Sequence, residues 1–472
     1  MKVLFATAEA APFIRTGGLG DVAGALPPAL VAKGVETAVI LPLYDDMKAS
    51  YRNTLQFIGS TTVQLGWRNQ YVGVFKSAAA GVNYYFIDNE FYFKRKGLYG
   101  HFDDGERFAY FSKAILEVLP IIGYFPDVIH CNDWQTALTP LYLDCFYRGI
   151  KGYENIKTLM AIHNIEFQGN MDKCVLGDVF GIPESKQAIA EYQNNANMLK
   201  AGIESANKVV TVSPTYATEI LDKFYSCGLE SILEERKYKL CGIVNGIDVD
   251  LYSPKTDKAL FKNYDLRGYG QKKENKYGLQ ALFGLPVCDK PLIGMVTRLT
   301  SQKGIDLVLE VIHDILSMDV QLVVLGTGDW KYENALQEIA KQYPTKLATA
   351  IYFSGDVASK IYGACDIFLM PSKFEPCGLS QMIAMRYGSI PVVRETGGLK
   401  DTVIPFNPVE GTGVGFTFKT YNAYDMLDAI KRALEVYADN KLWRNGVVKN
   451  AMKSDFSWKK SAEEYITLYK SL

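Results

Sequence analysis

Short apolar runs, each closing in a polar or glycine-bearing loop and followed by a stretch of helical composition, recur along most of this chain. Val3–Ala8 reads as a strand, Arg15–Asp21 as a glycine-rich loop, Val22–Lys33 as a helix stopped by Gly34, and Glu36–Pro42 as the next strand. That is a βαβ unit with its glycines in the first turn. Strands are predicted at Leu55–Leu65, Gln70–Ala78 and Val82–Asp88, some of them antiparallel, and a helix at Asp104–Leu119. Asp127–His130, Lys157–Ile162 and Lys208–Val212 are further short strands, and Cys241–Asp248 closes the first half. Asp250–Gly270 has no clear periodicity and reads as a linker with a peripheral segment.

The alternation then restarts. Strands are predicted at Pro291–Val296, Val320–Leu325, Ala348–Ser354, Asp366–Met370 and Ile390–Val393. Helices are predicted at Gly304–Leu316, Glu333–Gln342, Ala358–Ala364, Ser380–Tyr387, Tyr424–Ala438 and Ser457–Ser471. Near-continuous apolar strands between helices indicate parallel sheets buried on both faces. Thr16–Gly17–Gly18–Leu19–x–Asp21 recurs as Thr396–Gly397–Gly398–Leu399–x–Asp401, once in each half. The repetition suggests two doubly wound, Rossmann-like domains, residues 1–248 and 249–455, facing across a cleft; glycine-rich hexamers also recur by chance.

Composition narrows the function classes. A chain of 472 residues exceeds one ordinary core. Net charge is −1, so no basic field argues for nucleic acid or an anionic membrane. The eight cysteines form no Cys-x-x-Cys pair, which signals neither a zinc site nor a disulfide framework and suits reduced thiols in a cytoplasm. The start of the chain lacks the long apolar run of a signal peptide, and no stretch has the length of a membrane span. Tyrosine is abundant, at 30 residues; such rings suit sugar binding, but equally line cores.

The chemistry is expected in loops at the carboxyl ends of strands, where α/β sheets bind ligands. Pro371–Ser380 lies between a strand and a helix and carries Glu375, Cys377, Gly378 and Leu379; an ordinary strand-to-helix turn would look the same. Gly17 and Gly18 allow close backbone approach, with Arg15 beside them. Arg298 and Lys303 bracket a helix start and would form a diphosphate clamp. Asp133, His163, Asn164, Asn245, Glu375 and Thr396 would hold a polyol if they converge. No Walker loop, Gly-x-Ser-x-Gly elbow or His-Glu-x-x-His helix occurs, and Gly326–Asp329 lacks the third glycine of a dinucleotide loop.

These motifs, in this order, resemble the bacterial glycogen synthases and plant starch synthases. The resemblance rests on Thr16–Val22, His130–Gln135, His163–Gly169, Val244–Asp248, Arg298–Gly304, Phe374–Leu379 and Thr396–Leu399. It implies the GT-B fold, with a helix in residues 456–472 crossing back to the first domain. It implies transfer of glucose from ADP-glucose to the non-reducing 4-hydroxyl of an α-1,4-glucan, with retention and without metal or cofactor. By the same resemblance, Arg298 and Lys303 hold the distal phosphate, and Gly17, Gly18 and Arg15 serve the donor. Glu375, with the backbone of Cys377, Gly378 and Leu379 and with Thr396, holds glucose hydroxyls, so that Glu375 is an anchor rather than a nucleophile or base. Asp133, His163 and Asn245 line the sugar, Asp21 and Asn164 the acceptor side, and Phe353 lies against adenine. Arg15 departs from the lysine usual in the family, which leaves nucleotide preference open. UDP-glucose or another acceptor, or a catalytically silent glucan-binding paralogue, are the alternatives; oligomeric state is not implied.

Overall fold

A computed structural model describes residues Met1–Leu472. The chain forms two compact units, one comprising Met1–Gly246 with Trp458–Leu472, the other Ile247–Ser457.

The strands of the first unit are β1 (Lys2–Ala6), β2 (Glu36–Pro42), β3 (Gln56–Leu65), β4 (Arg68–Ala79), β5 (Val82–Asp88), β6 (Val128–Asn132), β7 (Lys157–Ile162), β8 (Asn170–Asp172), β9 (Glu191–Tyr192), β10 (Asn195–Asn197), β11 (Lys208–Thr211) and β12 (Leu240–Gly242). Nine of them form one sheet in the order β12-β11-β7-β6-β1-β2-β5-β4-β3. Pairing is parallel from β12 to β5 and antiparallel at β5-β4 and β4-β3. β8, β10 and β9 make a small antiparallel sheet of their own. The burial pattern follows the composition: β6 is buried at every position, whereas β3 and β4 keep exposed residues along their length. A strand covered by helices on both faces must be apolar throughout, and an edge hairpin need not be.

Residues Trp458–Lys470 form a helix in this unit. It packs on the helix Gly18–Ala32, where Lys33 and Glu463 pair. Tyr469 Oη lies 2.7 Å from Nδ1 of the buried His130, and Ser461 Oγ donates to the Val244 carbonyl at 2.7 Å.

The second unit carries β13 (Leu292–Val296), β14 (Gln321–Leu325), β15 (Leu347–Ala350), β16 (Ile367–Met370), β17 (Ile390–Arg394) and β18 (Phe416–Phe418), all parallel, in the order β15-β14-β13-β16-β17-β18. Its helices are amphipathic. In Ala423–Ala438 the Asn422 side chain accepts from the Tyr424 and Asp425 N–H groups, and Met426, Leu427, Ile430 and Ala433 turn inward at helical spacing.

In each sheet the chain runs outward in both directions from one central strand. The direction switches between β1 and β6 in the first unit and between β13 and β16 in the second. At such a point the two flanking loops leave in opposite directions and open a crevice at the strands' carboxyl ends.

Several expected elements differ. Both glycine motifs are the first turns of helices, Gly18–Ala32 and Gly397–Thr402, rather than loops before them. The stretch expected as one helix from Gly304 is two, Ile305–Glu310 and Ile312–Ser317. β15 ends at Ala350, leaving Phe353 in the following loop. Asp250–Gly270 is built into the second unit: Tyr264 is buried and its hydroxyl donates to the Tyr387 carbonyl at 2.7 Å.

Candidate functional site

In the first unit, the carboxyl ends of β1, β6 and β7 bring together Glu9, Asp133 and His163. Asp133 follows β6 with φ 55° and ψ −176°, a region otherwise left to glycine, costing roughly 1–3 kcal/mol. Two bonds hold it there. Its N–H donates to the Ala161 carbonyl at 2.9 Å, and its Oδ1 accepts from the His163 N–H at 2.7 Å. Burial pushes the Asp133 carboxyl above the usual aspartate range, with His163 and the His163 and Asn164 N–H groups acting in the opposite direction.

The His163 ring is oriented by Asn132. Asn132 Nδ2 donates to the Ala6 carbonyl at 2.9 Å, so its Oδ1, 2.9 Å from His163 Nε2, is an acceptor. Nε2 therefore carries the proton and Nδ1 keeps its lone pair. Burial lowers the imidazole's proton affinity more than Asp133 raises it. The result is a neutral histidine able to accept from a hydroxyl.

Glu9 was not expected from the sequence. Its side chain is buried and accepts from the N–H and hydroxyl of Thr16. Desolvation, with repulsion from Asp133, pushes its pKa up. Tyr99 lies beside it, its phenol raised well above its ordinary value by burial. The available signal was a lone carboxylate among alanines directly after β1.

Arg15 is exposed and pairs with Asp21. Asp21 therefore orients Arg15 and is not a free acceptor-side carboxylate. The Gly18 N–H has no protein acceptor, and Asn245 buries its Oδ1 without a partner. An orphaned buried acceptor of this kind is ready for a ligand donor.

In the second unit, the loops after β13 and β16 are stitched together. The Lys373 N–H donates to the Gln302 carbonyl at 2.8 Å. Gly304, at φ 74°, lies so close to the Pro371 carbonyl that no side chain fits between them. This contact brings Lys303 Nζ to 2.6 Å from Glu375 Oε2, which also accepts from Ser372 Oγ at 3.0 Å. Oε1 of Glu375 takes no protein partner. Arg298 is exposed and makes no ion pair, so it supplies the uncompensated charge of this loop pair.

Cys377, Gly378 and Leu379 lead into the helix Ser380–Arg386, and the Gly378 and Leu379 N–H groups have no protein acceptor. Gln381, also missed from sequence, donates through Nε2 to the carbonyls of Cys377 and Gly378, at 3.1 and 2.9 Å, and to Thr402 Oγ1 at 3.1 Å. Thr396 is fully buried at the head of the next helix. Phe353 stands apart after β15, two strands from β13, with its ring 89% exposed.

Comparison with known proteins places this geometry. A family model described as the starch synthase catalytic domain matches residues 2–235, and one described as glycosyl transferases group 1 matches residues 285–449. A glycogen synthase of Clostridium acetobutylicum is 51% identical, with 100% of both chains covered. This chain belongs to the starch and glycogen synthase family. A glycogen synthase of Streptococcus pneumoniae is 50% identical, again over 100% of each chain. Among solved structures, the catalytic domain of starch synthase IV from Arabidopsis thaliana, bound to ADP and acarbose, superposes with a TM-score of 0.90 at 34% identity, covering 100% of this chain and 98% of that one. Sucrose-phosphate synthase from Thermosynechococcus elongatus shares the fold, with a TM-score of 0.62 at 18% identity and the same coverage. The starch and glycogen synthase fold is thus two Rossmann-like units of GT-B type, as the two switch points indicate.

Proposed function

We propose that this protein, a glucosyltransferase of glycogen synthesis, transfers glucose from ADP-glucose to the non-reducing 4-hydroxyl of an α-1,4-glucan with retention at the anomeric carbon. Identity of about half to glycogen synthases over the full length supports the reaction class. The choice of donor is supported by a relative solved with ADP bound and, on this chain, by the cationic loop pair after β13 and β16.

Arg298 and Lys303 are assigned to the diphosphate. As the glycosidic oxygen leaves, negative charge grows on ADP, and fixed cations lower that barrier. Glu375 is assigned to a glucose hydroxyl through its open Oε1, with Lys303 and Ser372 fixing Oε2. Exposed Phe353 is offered to the adenine ring. Asp133, neutral His163 and Asn245 are assigned to sugar hydroxyls, each presenting an acceptor. No metal or cofactor is required by these roles. No helix is long and apolar enough to cross a membrane, and a cytoplasmic location accords with eight free cysteines.

The decisive assay supplies ADP-glucose or UDP-glucose with glycogen and follows nucleotide release and chain growth. Growth from ADP-glucose is expected; growth only from UDP-glucose would replace the donor, and none from either would overturn the enzyme assignment. Arg298→Ala and Lys303→Ala are each expected to lower kcat by about 10²–10³ while glucan affinity holds. Unchanged kcat with weakened glucan binding would remove these residues from the diphosphate.

A further inference from the structure

We propose that the second unit holds a separate anion site, at the amino edge of its sheet, that takes the phosphate group of a small phosphorylated metabolite. A cavity of about 300 Å³ opens there beside the start of the helix Lys272–Leu282. Asp366, on its wall, immediately precedes β16 and accepts from the Leu292 N–H at 2.9 Å. Arg298, Lys303 and Glu375 follow the opposite ends of the same strands, so this cavity is not part of the loop pair described above.

Charge is what sets it apart. Four cationic side chains, Lys272, Lys273, Lys276 and Arg444, face two carboxylates, Asp289 and Asp366. Both carboxylates are committed: Asp366 pairs with Lys276 at 2.8 Å and Asp289 with Lys273 at 2.8 Å. The other two cations have no acid. Lys272 is only 4% exposed, and its ammonium donates to the carbonyls of Tyr362, Gly363 and Tyr387, each at 3.0 Å, and to Ser389 Oγ at 2.9 Å. All four partners are neutral. Arg444 is exposed, forms no ion pair, and sits 5.9 Å from the centre of the Tyr269 ring.

A buried ammonium without a counter-charge is costly, and burial lowers the Lys272 pKa to about 8. An anion seated between Lys272 and Arg444 supplies the missing charge, and the guanidinium fork matches phosphate oxygens. Two uncompensated charges suit a phosphate monoester better than a carboxylate. Tyr269, Tyr437 and Trp443 form the remaining wall, against which a small organic group would lie. The cations converge on an enclosed space rather than spreading over a face, which disfavours a nucleic acid or a lipid surface.

The test is titration calorimetry with inorganic phosphate, on protein carrying Arg298→Ala to weaken the donor loops. Binding is expected in that variant, and adding Arg444→Ala is expected to weaken it by about tenfold or more. Arg432→Ala, which removes an exposed cation of the same unit paired to Asp428, should leave binding unchanged. The proposal is overturned if the Arg298→Ala protein binds no phosphate, if Arg444→Ala costs less than about threefold, or if Arg432→Ala costs as much as Arg444→Ala.

Discussion

The hexapeptide Thr-Gly-Gly-Leu-x-Asp heads a helix in each unit, yet its glycines answer different demands. At Gly17 and Gly18 a side chain would meet open space, with no atom within 4 Å of a Cβ on Gly18 and Glu9 Oε1 at 4.0 Å from one on Gly17. At Gly397 and Gly398 it would strike backbone, the carbonyls of Glu375 and Cys377. The second helix is wedged under the loop that carries Glu375, and the Gly398 N–H is spent on the carbonyls of Glu375 and Pro376, at 3.2 and 3.1 Å. The first helix keeps its Gly18 N–H unspent. One copy of the motif buttresses a loop; the other leaves room and a donor for something that is not protein.

Gly398→Ala should have the largest effect. With backbone in the way, the loop must shift, and a loss of about 3 kcal/mol or more is expected in urea unfolding, together with donor turnover. Gly18→Ala should do the reverse. Stability should hold or improve by up to about 1 kcal/mol, since alanine is the better helix residue, while kcat/KM for the donor falls by about tenfold as a methyl enters the ligand's space. If both variants unfold alike, or both keep activity, the two motifs do the same job and the contrast fails.

A smaller effect probes the carboxylate beneath the first motif. Burial raises the Glu9 pKa above its ordinary 4.5, so the folded state binds this proton more tightly than the unfolded chain. Its stabilising contribution is complete below 4.5 and is lost as pH rises through the folded value. Glu9→Gln should therefore be more stable than the parent near neutral pH, with the advantage vanishing in acid below 4.5. An advantage that persists in acid would exclude this titration as its source. Smallest of all, Arg15→Lys should retain ADP-glucose turnover within about threefold, because charge is kept and Asp21 still pairs with it. Loss of activity would give the guanidinium fork a role of its own.

What could be foreseen from sequence follows the same physics. Parallel strands buried on both faces announce themselves as apolar runs, and the loops at their ends were placed correctly around Asp133, His163, Arg298 and Glu375. The helix Lys272–Leu282 was silent because its inward side, Lys272, Asn275, Lys276, Leu279 and Gln280, keeps helical spacing with mostly polar residues. Hydropathy cannot see a face buried by hydrogen bonds. Glu9 and Gln381 were invisible for a related reason: each acts through backbone atoms brought near by another segment, Thr16 for one and the Cys377 and Gly378 carbonyls for the other. The Arg15–Asp21 and Lys303–Glu375 pairs likewise show which charges are spent and which are free, and that distribution is a property of the folded loops alone.

The helix Trp458–Lys470, counted with the first unit, has a consequence for how the protein is made. The second unit is synthesised in full before that helix emerges from the ribosome. Through that interval the earlier unit lacks the partner that covers His130 and the outer side of the helix Gly18–Ala32. The later-made unit can therefore finish folding first, while the earlier-made one waits on nascent chain still to come, exposed to chaperones and proteases.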